Sequence, residues 1–362
     1  MNTREILERL CLAPAPSGYE KECAYTWRAM MEPLADETRL DRNGNVICAL
    51  RGTDEASPPI MVFAHLDTLG FIVRRVEKDG FIQVDRLGGI PEKVLPGLRV
   101  AIRTVEGKFV PGVFGNKAHH ATTADEKYKV DVVTSLFVDV GASTREEVHA
   151  LGIQVGCPVI YEPRFSTLGL DKVCATALDN RGGLTAMVQA AEFLHSHRPQ
   201  STVYFVGTVW EEFNIRGAVF AARALKPDIS ICLDVVLAGD THDLSSRYEN
   251  CLGAGPTVNY YSFHGRGTLN GTLPHEGLSL LANRAAQEEK IPVQRFASLG
   301  IITDSAYVQM EGEGISCLDL GFPARYTHTP VEVCSISDVE NLGRLVAAMV
   351  SRINADFDLN RY

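Results

Sequence analysis

Two adjacent glutamates, Glu211 and Glu212, closely follow the apolar run VYFVG in the longer segment VYFVGTVWEEFNIRGA. Carboxylates are among the side chains least often buried without a partner, so a pair beside a core strand predicts a cation or a proton-transfer role. The alternative is that the two acids begin a helix, because the helix dipole favours negative charge in the first turn. The pair alone does not decide between these interpretations.

Further candidate ligands lie at or just beyond the ends of other apolar strands. They are His65 and Asp67 in VFAHLDTLG, Asp179 in ALDNRGG, Asp234 in ICLDVV and His328 in ARYTHTPVEV. Each has an ordinary structural alternative, as a hydrogen-bonded histidine, a helix N-cap or a strand-end turn residue. In open α/β sheets, however, ligands bind at the carboxyl ends of the strands, so we expect these side chains to converge.

The residue types in this set point to metal-assisted hydrolysis. Two imidazoles and several carboxylates without a thiolate are the donors expected for zinc, cobalt or manganese in a hydrolytic site. Three carboxylates and two histidines suffice for two ions that share one carboxylate. In such a site, with ions about 3.5 to 4 Å apart, one glutamate can bind metal while its neighbour deprotonates a bridging water.

Composition limits the class of protein and its partners. The chain of 362 residues is 45% apolar, enough for a large core, and its net charge of -10 argues against nucleic acid or an anionic membrane as partner. It has no signal-peptide pattern and no apolar run long enough to cross a bilayer, which predicts a cytoplasmic protein. Its nine cysteines form no C-x-x-C pair, which favours reduced thiols over disulfides or a sulfur-bound zinc.

The elements that must position the candidate ligands change in character along the chain. Near the start we expect a helix with a capping box of Ser17 and Glu20, then a hairpin, then the buried strand IMVFAHLD. Residues 68–163 show short alternating segments broken by glycines, which predict a β-rich domain. In the remainder, continuous apolar strands alternate with helical patterns, as in α/β domains.

The buried strand of the first segment has no parallel partners there, and the last segment supplies them. We therefore predict one discontinuous α/β domain, residues 1–67 and 164–362, with a mixed, largely parallel sheet flanked by helices. Residues 68–163 are then an inserted domain. The insertion point is a loop tip at the carboxyl edge of the sheet, where insertions are tolerated.

Five motifs in this order, AHLDTLGF, ALDNRGG, VWEEFNIRGA, LDVVLAGDTH and PARYTHTPVEV, resemble the TET-type co-catalytic metallo-aminopeptidases, the glutamyl aminopeptidase family (peptidase family M forty-two). The resemblance covers nearly the whole chain. It implies the dinuclear-metal peptidase fold and short peptides as substrates. It also implies two divalent ions per subunit, for which zinc is the first choice and cobalt and manganese are the alternatives. It also implies that the insertion is a small β-barrel used in assembly of a homo-oligomer, a tetrahedral dodecamer.

The resemblance assigns metal ligands position by position. His65 and Asp234 would bind one ion. Glu212 and His328 would bind the other, and Asp179 would bridge the two. Because all five positions of the family pattern are filled by metal-binding side chains, the resemblance implies an intact two-metal centre.

The resemblance also assigns roles outside the ligand set. Glu211 would be the catalytic base that takes a proton from the metal-bridging water and returns it to the leaving amine. Asp67 would support the imidazole two residues before it as an outer-shell carboxylate. The peptide bond after Asp179 would be cis. Thr68 stands where the family usually has an acidic residue, which bears on the substrate pocket and the first metal but not on the reaction class.

Three alternatives to an aminopeptidase remain open. A two-metal amidohydrolase or deacylase would share the α/β core. A glycoside hydrolase would need two carboxylates about 5 to 9.5 Å apart, whereas we expect neighbours such as Glu211 and Glu212 to diverge to opposite faces, and both histidines would lack a role. A non-catalytic peptide-binding scaffold would have no need of a free base at Glu211.

Overall fold

The computed structural model describes residues 1–265 and 268–361 of the chain. The first segment forms two helices and three strands: α1 (Thr3–Cys11), α2 (Lys21–Met31), β1 (Glu37–Leu40), β2 (Val46–Leu50) and β3 (Ile60–His65). Strands β1 and β2 form the expected antiparallel hairpin. The predicted capping box is wrong, because α2 begins after Glu20 and the Glu20 side chain accepts the backbone N–H of Gly18.

The next segment folds into a closed barrel with the strand order β4-β5-β8-β7-β6-β9. Its elements are β4 (Gly70–Val76), β5 (Ile82–Leu87), β6 (Arg99–Arg103), β7 (Phe109–Phe114), β8 (Val138–Asp139), α3 (Arg145–Ala150) and β9 (Pro158–Tyr161). The barrel encloses an apolar core of its own, which includes Phe71, Val84, Ile102 and Val159. The small β-barrel of the predicted fold class is thereby confirmed.

The remaining chain completes the large sheet and its helices. Its strands are β10 (Phe165–Leu168), β11 (Lys172–Ala175), β12 (Val203–Thr208), β13 (Ile229–Leu237), β14 (Thr257–Phe263), β15 (Gly271–Thr272), β16 (Gln294–Leu299), β17 (Ser316–Arg325) and β18 (Glu332–Ser335). Its helices are α4 (Leu178–Ser196), α5 (Gly217–Leu225), α6 (Glu276–Glu288), α7 (Ser305–Val308) and α8 (Ile336–Val350).

The sheet runs in the order β1-β2-β12-β3-β13-β17-β18-β11-β10, with β14, β15 and β16 on a side branch. The central pairs, β12 with β3, β3 with β13 and β13 with β17, are parallel. The pairs toward both ends are antiparallel. The predicted mixed sheet is confirmed, and its parallel part is the centre.

Both faces of this sheet are covered, which explains the continuous apolar strands in the sequence. Along β3, Val62 and Ala64 pack into the core formed with α1, α2, α4, α6 and α8. Met61 and Phe63 pack into a second core that includes residues of α5 and α7. Within the part of the chain that the structure describes, no helix has the length and apolarity needed to cross a membrane.

Candidate metal centre

The carboxyl ends of the central parallel strands place the candidate side chains at one edge of the sheet. His65 is the last residue of β3, and its Cα pairs with that of Thr208 at the end of β12. Beyond Thr208 the backbone turns through Trp210, whose φ of 61° lies in the left-handed region, and reaches the two glutamates. Asp234 lies on β13, the neighbour of β3 on its other side.

Three overlapping groups of side chains offer ligand atoms that lie within 4.8 Å of one another. One contains His65, Asp179 and Asp234, and a second contains Asp179, Glu212 and His328. The third contains His65, Glu211 and Glu212. The first two groups share Asp179 and have the same members as the two ligand sets that the sequence resemblance implies. The fold therefore brings together six of the seven predicted site residues as potential donors.

Asp179 lies between the two histidines. Its Oδ1 is 3.0 Å from Nε2 of His65, and its Oδ2 is 3.6 Å from Nε2 of His328. Asp234 Oδ1 lies 3.8 Å from Nε2 of His65, and Glu212 Oε2 lies 4.0 Å from Nε2 of His328. The two oxygens of Asp179 thus face different histidines, which is the arrangement that a bridging carboxylate requires.

Both imidazoles present the same nitrogen to the carboxylates. Nδ1 of His65 lies 3.0 Å from the backbone carbonyl of Asp67, and Nδ1 of His328 lies 2.7 Å from that of Gly89. Because a carbonyl oxygen only accepts hydrogen bonds, each neutral imidazole carries its proton on Nδ1. The lone pair of Nε2 is then free to bind an ion, as in metal sites that orient their histidines in this way. Gly89 follows β5, so the barrel segment contributes to orienting His328.

The donor set fits divalent cations. All donors are nitrogen or oxygen, and donors that share one zinc ion lie roughly 3 to 4 Å apart, as several of these atoms do. Glu212 Oε1 is buried and has no hydrogen-bond partner among the described residues. A buried carboxylate oxygen without a partner is costly, and a bound cation would remove that cost.

The electrostatics of the centre also favour cations. Burial raises the pKa of Glu212 to about 7, although the nearby His328 opposes this. Burial alone would lower the pKa of His328, but the carboxylates of Glu212 and Asp179 raise it to about 9. Burial likewise raises the pKa of Glu211 and Asp234 well above the ordinary range. Crowded, poorly solvated carboxylates of this kind bind positive charge to offset their mutual repulsion.

Asp67 contacts the site in a way that the sequence does not indicate. Its carboxylate Oδ1 lies 3.7 Å from Nδ1 of His65, whereas its backbone carbonyl oxygen lies 3.0 Å from the same nitrogen. The carboxylate instead accepts the backbone N–H groups of Glu211 at 3.0 Å and Glu212 at 3.1 Å. It also accepts the hydroxyl of Ser17 at 2.7 Å, so Ser17 serves the site rather than the start of a helix.

Glu332 is a site residue that sequence reasoning missed. This side chain is 2% exposed, and its two oxygens accept the backbone N–H groups of His328 at 2.8 Å and Asp179 at 3.0 Å. It thereby holds the backbone of two candidate ligands of one ion. Its position in the sequence could have indicated this role. Glu332 lies four residues after His328 in the motif THTPVEV, and it begins a buried strand.

The backbone at Asp179 is unusual in its conformation. The peptide bond between Asp179 and Asn180 is cis, as the resemblance implies, and it lies at a kink near the start of α4. The Asn180 side chain donates to the carbonyl of Leu233 at 2.7 Å and accepts the N–H of Gly183 at 3.1 Å. These contacts tie the start of α4 to β13, next to Asp234.

The candidate ligands line an open cavity of about 750 Å³. Glu211 and Glu212 both face it, together with both histidines. The expectation that the two glutamates diverge is wrong, because β12 ends at Thr208 and both acids lie in the turn that follows, where strand alternation no longer applies. The cavity has the size of ordinary small-molecule or peptide sites.

Known proteins share this sequence and this fold. Residues 44–345 match the M42 glutamyl aminopeptidase family. The lysyl aminopeptidase of Pyrococcus furiosus is 31% identical over 356 residues, 96% of this chain and 97% of the relative. An aminopeptidase structure from the archaeon Desulfurococcus kamchatkensis has a TM-score of 0.92 at 31% identity, covering 98% of this chain and 96% of that one.

A further solved structure is that of the Pyrococcus horikoshii TET1 peptidase, which can assemble into a tetrahedron or a large octahedral shell. It has a TM-score of 0.84 at 25% identity and covers 97% of this chain and 100% of that one. The family match spans most of the chain, and the relatives match it over nearly their whole length. The chain therefore belongs to the M42 glutamyl aminopeptidase family, and it is an aminopeptidase, a hydrolase that acts on peptides.

Proposed function

We propose that this aminopeptidase removes N-terminal residues from short peptides at a centre of two divalent ions, with Glu211 as its proton carrier. The observation that carries the proposal is the position of Asp179, whose two oxygens face His65 on one side and His328 on the other. One carboxylate that belongs to both donor groups is the arrangement expected for two neighbouring ions.

The proposed ligands are His65 and Asp234 for one ion, Glu212 and His328 for the other, and Asp179 for both. Zinc is the first choice because imidazole and carboxylate donors without thiolate suit a hydrolytic zinc, and cobalt or manganese is the alternative. When bound, such ions lower the pKa of a water and polarise the scissile carbonyl.

Glu211 is the proposed acid and base. It belongs to neither of the two groups that share Asp179, yet its carboxylate lies within 4.8 Å of the ligand atoms of His65 and Glu212. Burial raises its pKa well above the ordinary range, so it holds a proton more strongly than a solvated glutamate does. In the proposed reaction it accepts a proton from the attacking water and donates it to the leaving amine.

The alternative functions differ in what they require of this site. A glycoside hydrolase needs its carboxylates about 5 to 9.5 Å apart across the bond, whereas ligand atoms of Glu211 and Glu212 lie within 4.8 Å. It would also leave without a role the two Nε2 atoms that the histidines direct toward Asp179. A deacylase with the same centre differs only in its substrate, so the substrate panel below includes it.

We further propose that residues 68–163 are an inserted assembly domain within a discontinuous catalytic domain of residues 1–67 and 164–362. The assembly would be a homo-oligomer, with the tetrahedral dodecamer as the first choice, since the TET1 relative forms a tetrahedron. Several apolar side chains of the barrel segment are exposed, among them Tyr128 at 92% and Val155 at 66%, which is consistent with burial against other subunits. Light scattering should give about twelve times the chain mass of 39.6 kDa.

The test of the catalytic proposal is amino-acid release from unblocked and N-acetylated short peptides. Metal-stripped protein would be assayed alone and after reloading with zinc, cobalt or manganese. Metal-dependent trimming of only the unblocked peptides supports the proposal. Cleavage of only the acetylated peptides would establish the deacylase, and undiminished activity after complete stripping would contradict a metal-dependent reaction.

A further inference from the structure

One wall of the cavity has no part in metal binding. Besides the candidate ligands and Glu211, the cavity is lined by apolar residues from several separate segments, namely Ile90, Pro91, Ile215, Val235, Leu237, Ile301 and Ile302. We call the five residues Ile215, Val235, Leu237, Ile301 and Ile302 the apolar wall. All five are partly exposed, and Val235 also packs against the main hydrophobic core.

Parts of the apolar wall are linked through the backbone to two residues of the proposed catalytic set. Val235 follows Asp234 on β13, and Leu237 lies on the same strand. The backbone N–H of Ile215 donates to the backbone carbonyl of Glu211 at 2.9 Å. A substrate whose scissile carbonyl lies at the metal centre therefore has the apolar surface of the same cavity beside it.

Among the residues that the structure describes, the carboxylates that line this cavity all belong to the proposed catalytic set. They are the side chains of the candidate ligands and of Glu211, and the described lining contains no lysine or arginine. The other polar lining residues are Asn214, His264, Thr268, Tyr307 and Thr327. A substrate carboxylate would find no lysine or arginine among the described lining residues. A substrate ammonium group would find only the carboxylates that we propose for the two ions and for proton transfer. Either charged group would lose hydration at the apolar wall, which is costly.

We propose that the apolar wall selects an uncharged, apolar side chain of leucine, isoleucine or methionine size on the N-terminal residue of the substrate. This inference rests on the proposed function. The scissile carbonyl of an aminopeptidase substrate belongs to the N-terminal residue itself, so the side chain of that residue is the one closest to the metal centre. Its methylene groups gain from leaving water, whereas a lysine or glutamate side chain loses its hydration.

The first experiment measures kcat/KM for two series of tripeptides with zinc-loaded protein, X-Ala-Ala and Ala-X-Ala. Position X is leucine, isoleucine, methionine, alanine, lysine or glutamate. In the first series we expect kcat/KM for X = leucine to be about 10-fold or more above that for alanine. We expect it to be about 100-fold above the values for lysine and glutamate. The second series should vary much less. Faster cleavage of X = lysine or glutamate, or stronger selection in the second series, would overturn the proposal while leaving the aminopeptidase reaction intact.

A second experiment introduces charge into the apolar wall. Leu237→Lys and Ile302→Lys should each lower leucine release and raise the ratio of glutamate to leucine release by about 10-fold or more. Leu237→Met keeps the apolar character and should retain the wild-type preference. The matched control is Leu280→Lys on α6, a side chain that is 64% exposed and does not line the cavity, and it should change nothing. An unchanged ratio in both lysine variants would contradict the proposal.

Failure of the proposed function can be separated from failure of this inference. If no peptide is cleaved under any metal, the catalytic proposal fails, and binding of free leucine, lysine and glutamate to the zinc-loaded protein is then measured by calorimetry. Tighter binding of leucine would still support the apolar wall as a recognition surface. Binding of lysine or glutamate as tight as that of leucine would overturn it.

Discussion

The carboxylate of Asp67 accepts the backbone N–H of Glu211 at a distance of 3.0 Å. The same carboxylate accepts the N–H of Glu212 at 3.1 Å and the Ser17 hydroxyl at 2.7 Å, and its side chain is fully buried. A buried carboxylate with three hydrogen bonds holds its partners in one geometry. Asp67 therefore fixes the turn that carries the proposed proton carrier and a proposed ligand.

Replacement of Asp67 by asparagine should weaken this turn. The amide has one acceptor oxygen, and its NH₂ group would face a backbone donor, so we expect kcat/KM to fall about 10- to 100-fold. The free energy of unfolding should fall by about 1 to 3 kcal/mol. Peptidase kinetics and urea unfolding would measure both. Ser17→Ala retains both N–H acceptors and is the milder control, and wild-type kinetics in Asp67→Asn would argue against the positioning role.

Glu211→Gln should remove the proposed proton carrier and change little else at the site. Because glutamine cannot accept the proton of the attacking water, kcat should fall about 10²- to 10⁴-fold, while KM and bound metal change little. Steady-state kinetics and metal analysis by mass spectrometry would test this. Glu192→Gln, an exposed position on α4, is the matched control. Loss of one ion from the Glu211 variant would instead make Glu211 a ligand.

Glu332→Gln should affect the ion for which we propose Glu212 and His328 as ligands. Glutamine can accept only one of the two N–H groups that Glu332 accepts, so the backbone of His328 or Asp179 loses a partner. We expect affinity for one of the two ions to fall about 10- to 100-fold. Competition with a chelator would measure this, with exposed Glu340→Gln on α8 as the control. Equal affinities of the variant and the wild type for both ions would contradict it.

Metal removal should destabilise the fold as well as stop the reaction. The buried carboxylates of the centre repel one another, and an ion that binds only the folded state stabilises it by mass action. We expect the melting temperature to fall after chelation and to recover when zinc is added. Differential scanning calorimetry of stripped and reloaded protein would show this. Equal melting temperatures would mean that the donor groups do not bind ions in the folded protein.

Asp304 should make stability depend on pH. Burial raises its pKa to about 7, and one carboxylate oxygen has no partner among the described residues. Since the folded pKa lies above the unfolded value of about 3.9, the contribution of Asp304 to stability is complete below pH 4 and is lost as the pH rises toward 7. Asp304→Asn does not titrate. The urea midpoint of this variant should exceed that of the wild type by more at pH 8 than at pH 5. An equal difference at both pH values would refute the raised pKa of Asp304.

Much of the fold and the candidate site could be predicted from local sequence. Donor residues at the ends of apolar strands indicated convergence, because the carboxyl ends of parallel strands meet at one edge of a sheet. Hydrophobic periodicity, which side-chain burial imposes directly, predicted the largely parallel α/β sheet and a β-rich segment within it. That this segment forms a barrel was an implication of the family resemblance. The grouping of His65, Asp179 and Asp234 within 4.8 Å agrees with that prediction, while the roles of the individual ligands stay proposals.

The sequence by itself determined the kinds of side chain present and the elements that carry them, because periodicity and donor chemistry are local properties. Only the tertiary structure decided which backbone groups those side chains bind. Asp67 and Glu332 contact N–H groups 144 to 153 residues away, and every residue but proline carries such a group, so no pattern marks the partner. The apolar wall likewise combines segments around Ile215, Leu237 and Ile302 that only packing brings to one cavity.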